Sequence, residues 1–181
     1  MRKIMMAMTA LALSSGVAWG QTAATQTIGL SAGVLSYCSI NGQAIGASVT
    51  ALNVSIANGK AATQTLTKSI TEVTCTSGVK IKLASNSGGL TNSGTSTEVF
   101  TNKIHYTAVA NYGEGAGAVS SPTLDTSSGI PGVSVENATA VGSATTRGTL
   151  GVTINVISTG SKFLLDGTFL DDLVITLTPS I

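Results

Sequence analysis

Alternation of apolar and polar residues in several separate segments of the chain is the feature that most limits its fold. It is clearest at residues 79–83, where both lysines fall on one side. A repeat of two residues places every second side chain on the same face of a β-strand. Further stretches rich in β-branched residues follow this pattern in part: 49–56, 62–75, 98–109, 149–157 and 173–178. With Gly-, Ser- and Asn-rich loops between them and no helical period after residue 20, they predict an all-β fold, typical of a sandwich.

The most regular alternating segment lies near the N-terminus, at residues 24–34. One face is apolar except for Gln26, and the other carries threonine, serine and glycine. The apolar face consists of Ala24, Ile28, Leu30, Ala32 and Val34. Chain ends are usually loose unless something ties them down. We therefore expect this strand to insert into another protein, with a second copy of the chain as one candidate.

Residues 1–20 have the pattern of a secretory signal peptide. Arg2 and Lys3 precede an apolar run from residue 4 to 17, and Ala18 and Gly20 supply the small residues of a cleavage site. The run is too short for a membrane-spanning helix. The sequence therefore predicts an exported protein whose fold begins after residue 20.

The exported chain carries few charges. Removal of 20 residues from 181 leaves 161, enough for one domain, and removal of Arg2 and Lys3 from the nine basic residues leaves seven against eight acidic ones. A net charge near −1 gives no reason to expect nucleic acid as a partner. Charged residues make up 9% of the chain, against about 25% in typical soluble domains. This composition favours a surface that packs against neighbouring molecules.

Two cysteines, Cys38 and Cys75, remain to be explained. In an oxidising compartment a single pair is most simply interpreted as one disulfide. The alternative, free or metal-binding thiols, lacks further ligands, because His105 is the chain's one histidine. We expect no metal and no cofactor.

A search for catalytic residues finds no convincing set. His105 lies in a strand pattern, where a histidine is more often an ordinary strand residue than a catalytic base. Asp171 and Asp172 are adjacent, but neighbours on a strand point to opposite faces and do not converge on one substrate bond. We expect no catalytic residues and no enzymatic activity.

Three features together resemble the archaic chaperone–usher pilins, the spore coat U or Csu-type domain family. The first is the alternating segment that ends shortly before Cys38. The second is Cys75 at the end of one strand pattern, followed by the alternating residues 79–83. The third is a closing strand with a Gly-x-aromatic-x-Asp motif. Its residues are Gly167, Phe169, Asp171, Leu173, Ile175 and Leu177.

The resemblance implies an incomplete immunoglobulin-like β-sandwich with an N-terminal donor strand. Residues 21–36 would be the donor segment, and residues 37–181 the pilin domain. The inserted side chains would be Ile28, Leu30, Ala32 and Val34. A strand added to the open edge of a sheet attaches through backbone hydrogen bonds, and its alternate side chains set the register.

The function implied is that of a structural fimbrial subunit in adhesion or biofilm formation, polymerised by donor-strand exchange. Its expected partners are other pilin subunits, a periplasmic chaperone and an outer-membrane usher. Its expected location is the cell surface, reached through the periplasm. The alternative is a self-complete secreted β-sandwich that binds a ligand or coats a surface, with residues 24–34 folded into its own sheet.

Overall fold

A computed structural model describes residues 37–40, 43–44, 52–113, 118–136 and 146–179. They all belong to the compact unit Val34–Ile181 and contain strands and loops but no helix. None of the described segments is therefore a helix that could cross a membrane. The strands are β1 (Cys38–Ile40), β2 (Gln43–Ala44), β3 (Ile56–Ala57), β4 (Lys60–Ala61), β5 (Gln64–Cys75), β6 (Val79–Ser85), β7 (Leu90–Thr91), β8 (Phe100–Thr101), β9 (Lys103–Ile104), β10 (Tyr106–Tyr112), β11 (Val119–Ser120), β12 (Leu124–Asp125), β13 (Ser134–Glu136), β14 (Thr146–Val156), β15 (Phe163–Leu164) and β16 (Leu173–Pro179).

The larger sheet is built around β14, which lies between β5 and β10. Its strand order is β11-β10-β14-β5-β1-β2, and β12 also pairs with β10. All of these pairs are antiparallel. The β5–β14 ladder runs from Gln64 opposite Val156 to Cys75 opposite Thr146. It is the longest pairing in the described part of the chain.

A smaller antiparallel sheet has the order β13-β6-β16. Its strand β6 alternates as the sequence predicts: Val79, Ile81 and Leu83 are buried, while Lys80 is half-buried and Lys82 exposed. The neighbouring strand β16 pairs with β6 along its whole length. The two sheets therefore each present one apolar face.

Side chains from both sheets meet in one apolar cluster. Val73 of β5 and Tyr112 of β10 come from the larger sheet, and Ile81, Leu83 and Leu177 come from the smaller one. Full burial of a Val, Leu or Ile side chain stabilises a fold by about 1.5–3 kcal/mol. This shared cluster is the main source of cohesion between the sheets.

Two local features depend on backbone conformations that few residues adopt. Asn58 and Gly59, both at positive φ, form the two-residue turn of the β3–β4 hairpin, in agreement with the preference of such turns for Asn-Gly. Glu72 has a φ of 57° where the register of β5 shifts against β14. Two residues of β5, at 71 and 72, there face a single residue of β14, which is a β-bulge.

The prediction of an all-β fold is confirmed. The predicted strands at 62–75, 79–83, 149–157 and 173–178 match β5, β6, β14 and β16 to within a few residues. The predicted strand at 98–109 is divided, because short breaks separate β8, β9 and β10. The prediction at 49–56 is wrong for residues 52–55, which are loop, and its first residues lie outside the described part. The signal peptide and the donor segment also lie outside it.

The predicted disulfide is present between Cys38 and Cys75. It links β1 to the end of β5, where the two cysteines face each other in the ladder. Tyr112 stabilises the same place, because its buried hydroxyl accepts a hydrogen bond from Cys75 N at 3.2 Å and donates one to Val73 O at 3.3 Å. The end of β5 is thus held by covalent and polar contacts together.

Removal of this disulfide should lower the stability of the fold. The cysteines are 37 residues apart, and closure of a loop of that length stabilises by roughly 4 kcal/mol in the chain-entropy model. A Cys38→Ala, Cys75→Ala variant should lose about this free energy of unfolding in urea denaturation followed by circular dichroism. The reduced wild-type chain should lose a similar amount. Equal stability of oxidised and reduced wild type would contradict the prediction.

Candidate functional site

The described residues form a groove of about 860 Å³. One wall is formed by β5 and β14, and the other by β16 with the segment that precedes it. Its apolar lining residues include Leu66, Ile70, Leu150, Val152, Ile154, Val156, Phe169, Leu173, Ile175 and Leu177. Several of these side chains are only half-buried. The groove is therefore an apolar surface that the described residues leave partly uncovered.

Two strands along the groove have an edge without a strand partner among the described residues. Strand β16 pairs with β6 on one side only. Strand β5 pairs with β14 on one side, while on its other side β1 pairs only with its last residues, at 73–75. Residues of both strands line the groove, and β1, which pairs with the end of β5, also contacts β16. An unpaired edge presents N–H and C=O groups that can pair with another strand.

The side chains of β16 alternate in burial, and its exposed Val174 borders the groove together with Leu173, Ile175 and Leu177. Leu173 and Ile175 are half-buried and Leu177 is buried, whereas Val174 and Thr176 are exposed. Lys68 lies on the groove face of β5 between Leu66 and Ile70, with the same partial burial. The groove therefore has an apolar floor with a single lysine contributed by β5.

The first residue of the predicted C-terminal motif, Gly167, has a structural reason to be glycine. Its φ is +120°, and a Cβ added there would lie 2.6 Å from Asn92 Nδ2. That nitrogen donates a hydrogen bond to Asp166 O at 3.0 Å and so has a fixed position. A larger residue would displace the segment that leads to Phe169. This side chain lines the groove and packs against a separate apolar cluster of Ala61, Ile104, Val156 and Leu164.

Asp171, one of the lining residues, accepts hydrogen bonds from three groups. Its Oδ2 accepts hydrogen bonds from Ser85 Oγ at 2.6 Å and from the Tyr106 hydroxyl at 2.7 Å. Its Oδ1 accepts one from Ser87 N at 2.8 Å. Hydrogen bonds to a carboxylate are among the stronger ones in proteins. Asp171 therefore ties the start of β16 to β10 and to the loop after β6.

The loop after β6 is ordered by Ser85, whose contribution the sequence analysis missed. Ser85 is fully buried, and its Oγ accepts hydrogen bonds from Gly88 N at 2.9 Å and Gly89 N at 3.1 Å while donating to Asp171. The only sequence signal is a serine followed by a glycine pair in a turn-rich stretch. Such a signal indicates a turn but does not identify its carboxylate partner.

Tyr106 titrates well above the ordinary range of a tyrosine. Burial raises its pKa, and the hydrogen bond to Asp171 and the charge of that carboxylate raise it further, although the contact with Ser85 acts in the opposite direction. The neutral hydroxyl is the form that donates to Asp171. The pair is therefore locked as a protonated tyrosine and its acceptor.

The hydrogen bonds found for His105 and Asp172 do not connect either side chain to Asp171. His105 Nδ1 donates to Thr126 O at 2.7 Å. Asp172 approaches Asn86 Nδ2 only at 3.5 Å. Among the residues that the structure describes, no group of three or more His, Cys, Asp or Glu side chains is placed to hold a metal ion.

The four predicted donor residues, Ile28, Leu30, Ala32 and Val34, lie outside the described residues. Of the other predicted site residues, the structure places Cys38 and Cys75 in one disulfide. It also brings Phe169, Asp171, Leu173, Ile175 and Leu177 to the wall of one groove, together with Gly167. Comparisons of the chain with protein-family models, with curated proteins and with solved structures find no significant match.

Replacement of Asp171 by asparagine should destabilise the fold, because the amide offers one acceptor oxygen where three donors converge. Loss of a hydrogen bond to a buried polar group costs about 1–3 kcal/mol, and Asp171→Asn should lower the free energy of unfolding in urea by that amount. Asp172→Asn is the matched control and should change it by less than about 0.5 kcal/mol. Equal losses in both variants would refute the role given to Asp171.

Alkaline pH should weaken the fold through Tyr106. Since the folded state raises the pKa of Tyr106, the unfolded chain loses this proton first, from about pH 10 upward. The free energy of unfolding therefore falls as pH rises above that value. Tyr106→Phe should reduce this fall between pH 9 and 11. A pH profile identical to that of the wild-type chain would contradict the assignment.

Proposed function

We propose that the chain is a structural pilus subunit whose sandwich lacks one strand, and that it polymerises by donor-strand exchange. The observation that carries this proposal is the apolar groove between the open edges of β5 and β16. A strand laid along β16 would pair with its backbone and cover Leu173 and Ile175. No catalytic role is proposed, and the subunit acts by assembly.

The proposed occupant of the groove is the N-terminal segment 21–36 of a neighbouring subunit. Its alternating part, residues 28–34, is seven residues long, and β16 also spans seven residues. Ile28, Leu30, Ala32 and Val34 would enter the groove while the polar face remains outside. Burial of two large and two smaller apolar side chains contributes on the order of 5–8 kcal/mol before the cost of association.

An open apolar edge also explains why such a subunit would need a chaperone. Exposed, unpaired strands aggregate with one another. A periplasmic chaperone that lends a strand would protect the groove until an outer-membrane usher exchanges that strand for the next subunit's donor segment. Each subunit would then supply one strand and receive one. Head-to-tail contacts of this kind do not close and therefore form filaments, here a surface fimbria for adhesion or biofilm formation.

Single charges on the two proposed contact surfaces should block assembly. In cells that also produce its chaperone and usher, Leu30→Asp on the donor and Ile175→Asp in the groove each bury a carboxylate among mostly apolar side chains, which costs several times the roughly 1.4 kcal/mol that changes an equilibrium tenfold. Filaments counted by electron microscopy should fall to less than about a tenth of the wild-type number. Thr27→Asp and Thr176→Asp, on the opposite faces of the same segments, are the controls and should assemble.

A mixture of the two defective variants separates this function from a self-complete domain. The Leu30→Asp chain keeps an intact groove, and the Ile175→Asp chain keeps an intact donor segment. Refolded together, they should form a mixed dimer, detectable by mass spectrometry. If residues 24–34 instead belonged to the same molecule's sheet, both variants would be destabilised monomers and no mixed dimer would form. Wild-type filament numbers from Leu30→Asp alone would also overturn the proposal.

A further inference from the structure

A second cavity, of about 230 Å³, lies at the start of β10. It shares no lining residue with the groove. Its polar lining consists of Thr101, Lys103, His105, Ser158, Thr159 and Lys162. Ligand pockets for drug-sized molecules are about 300–1,000 Å³. The cavity therefore suits a small ion or one terminal group of a larger molecule.

The cavity is positively charged by composition. Lys103 and Lys162 are two of the seven basic residues outside the signal segment, and no carboxylate is among the lining residues. Lys103 is also held in place, because its Nζ donates a hydrogen bond to Gly129 O at 2.6 Å. An ammonium group has three N–H donors. Two donors on Lys103 thus remain for a ligand.

Thr159 contributes a buried hydroxyl that has no hydrogen-bond partner among the described residues. The backbone around it is fixed: Thr159 N donates to Ala61 O at 3.1 Å, and Lys162 N donates to Thr159 O at 3.2 Å. Buried hydroxyl groups without a partner are uncommon because they forfeit hydration. A ligand in the cavity is one source of that partner.

The imidazole of His105, which also lines this cavity, is held in one orientation by a hydrogen bond. Because a carbonyl oxygen only accepts, the contact with Thr126 O requires that Nδ1 carries the proton. A Cβ built on Gly129 would lie 3.1 Å from Lys103 Nζ and 3.6 Å from His105 Cε1. The lysine and the histidine therefore pack against one glycine, and the cavity combines an ammonium, an imidazole and a hydroxyl at fixed positions.

We propose that this cavity binds an oxyanion: a phosphate, a sulfate or the carboxylate of a sugar acid. These groups share several acceptor oxygens and a negative charge, which match lysine ammonium and hydroxyl donors. A cleft with charges of one sign also attracts counter-ions from solution. The site is independent of strand exchange, because none of its residues lines the groove.

The test is a titration of the full exported chain, labelled with ¹⁵N, with sodium phosphate, sodium sulfate and sodium glucuronate in separate runs at constant ionic strength. Saturable shifts of the amides at 157–162 are expected with at least one probe. Tighter binding of glucuronate than of phosphate or sulfate would identify a sugar acid as the ligand class, and the reverse order an inorganic oxyanion.

Two variants and one control decide the outcome. Lys103→Met and Lys162→Met should each weaken binding at least tenfold, and Lys162, which is exposed, can be replaced with little risk to folding. Lys82→Met, on the outer face of β6, removes the same charge elsewhere and should leave the affinity unchanged. No saturable shift with any probe up to 20 mM, or equal weakening in all three variants, would overturn the proposal.

Discussion

The requirement that backbone N–H and C=O groups find partners organises this structure. Most of β5 meets it on one edge through the long ladder to β14, and β16 meets it on one edge through β6. Along the opposite edges the described residues supply β1 only at the end of β5. The apolar groove is a consequence of the same arrangement, since side chains that another strand would cover lie half-buried beside these open edges.

Asp171 connects the groove to the rest of the fold. Through Ser85, Ser87 and Tyr106 it attaches the start of β16 to both sheets, so one carboxylate fixes the start of a strand that lines the groove. The disulfide and Tyr112 hold β1 against the end of β5. Polar and covalent contacts therefore fix the start of β16 and the end of β5, the two strands whose other residues line the groove. That combination suits a surface that accepts a strand without rearranging.

The two proposals concern separate parts of the domain, and together they have a physical consequence. A subunit that joins its neighbours through the groove would repeat its basic cavity once per subunit along the filament. Weak binding of a small oxyanion at each cavity would then add up over many copies on a polyanionic surface. Neither proposal depends on the other, because the apolar groove and the basic cavity have no lining residue in common.

The sequence by itself determined the class of fold, because a two-residue period is a local property: it identified β5, β6, β14 and β16 and the outward lysines of β6. It also predicted the Cys38–Cys75 disulfide. It placed Gly167 and Asp171 in a C-terminal motif but did not identify the residues that contact them. Only the tertiary structure decided that Asp171 meets Ser85 and Tyr106, residues 86 and 65 positions away. It alone brought Lys103, His105 and Thr159 to one cavity and left open edges on β5 and β16. Contacts between distant segments depend on how strands are ordered in the sheets, and no local pattern encodes that order.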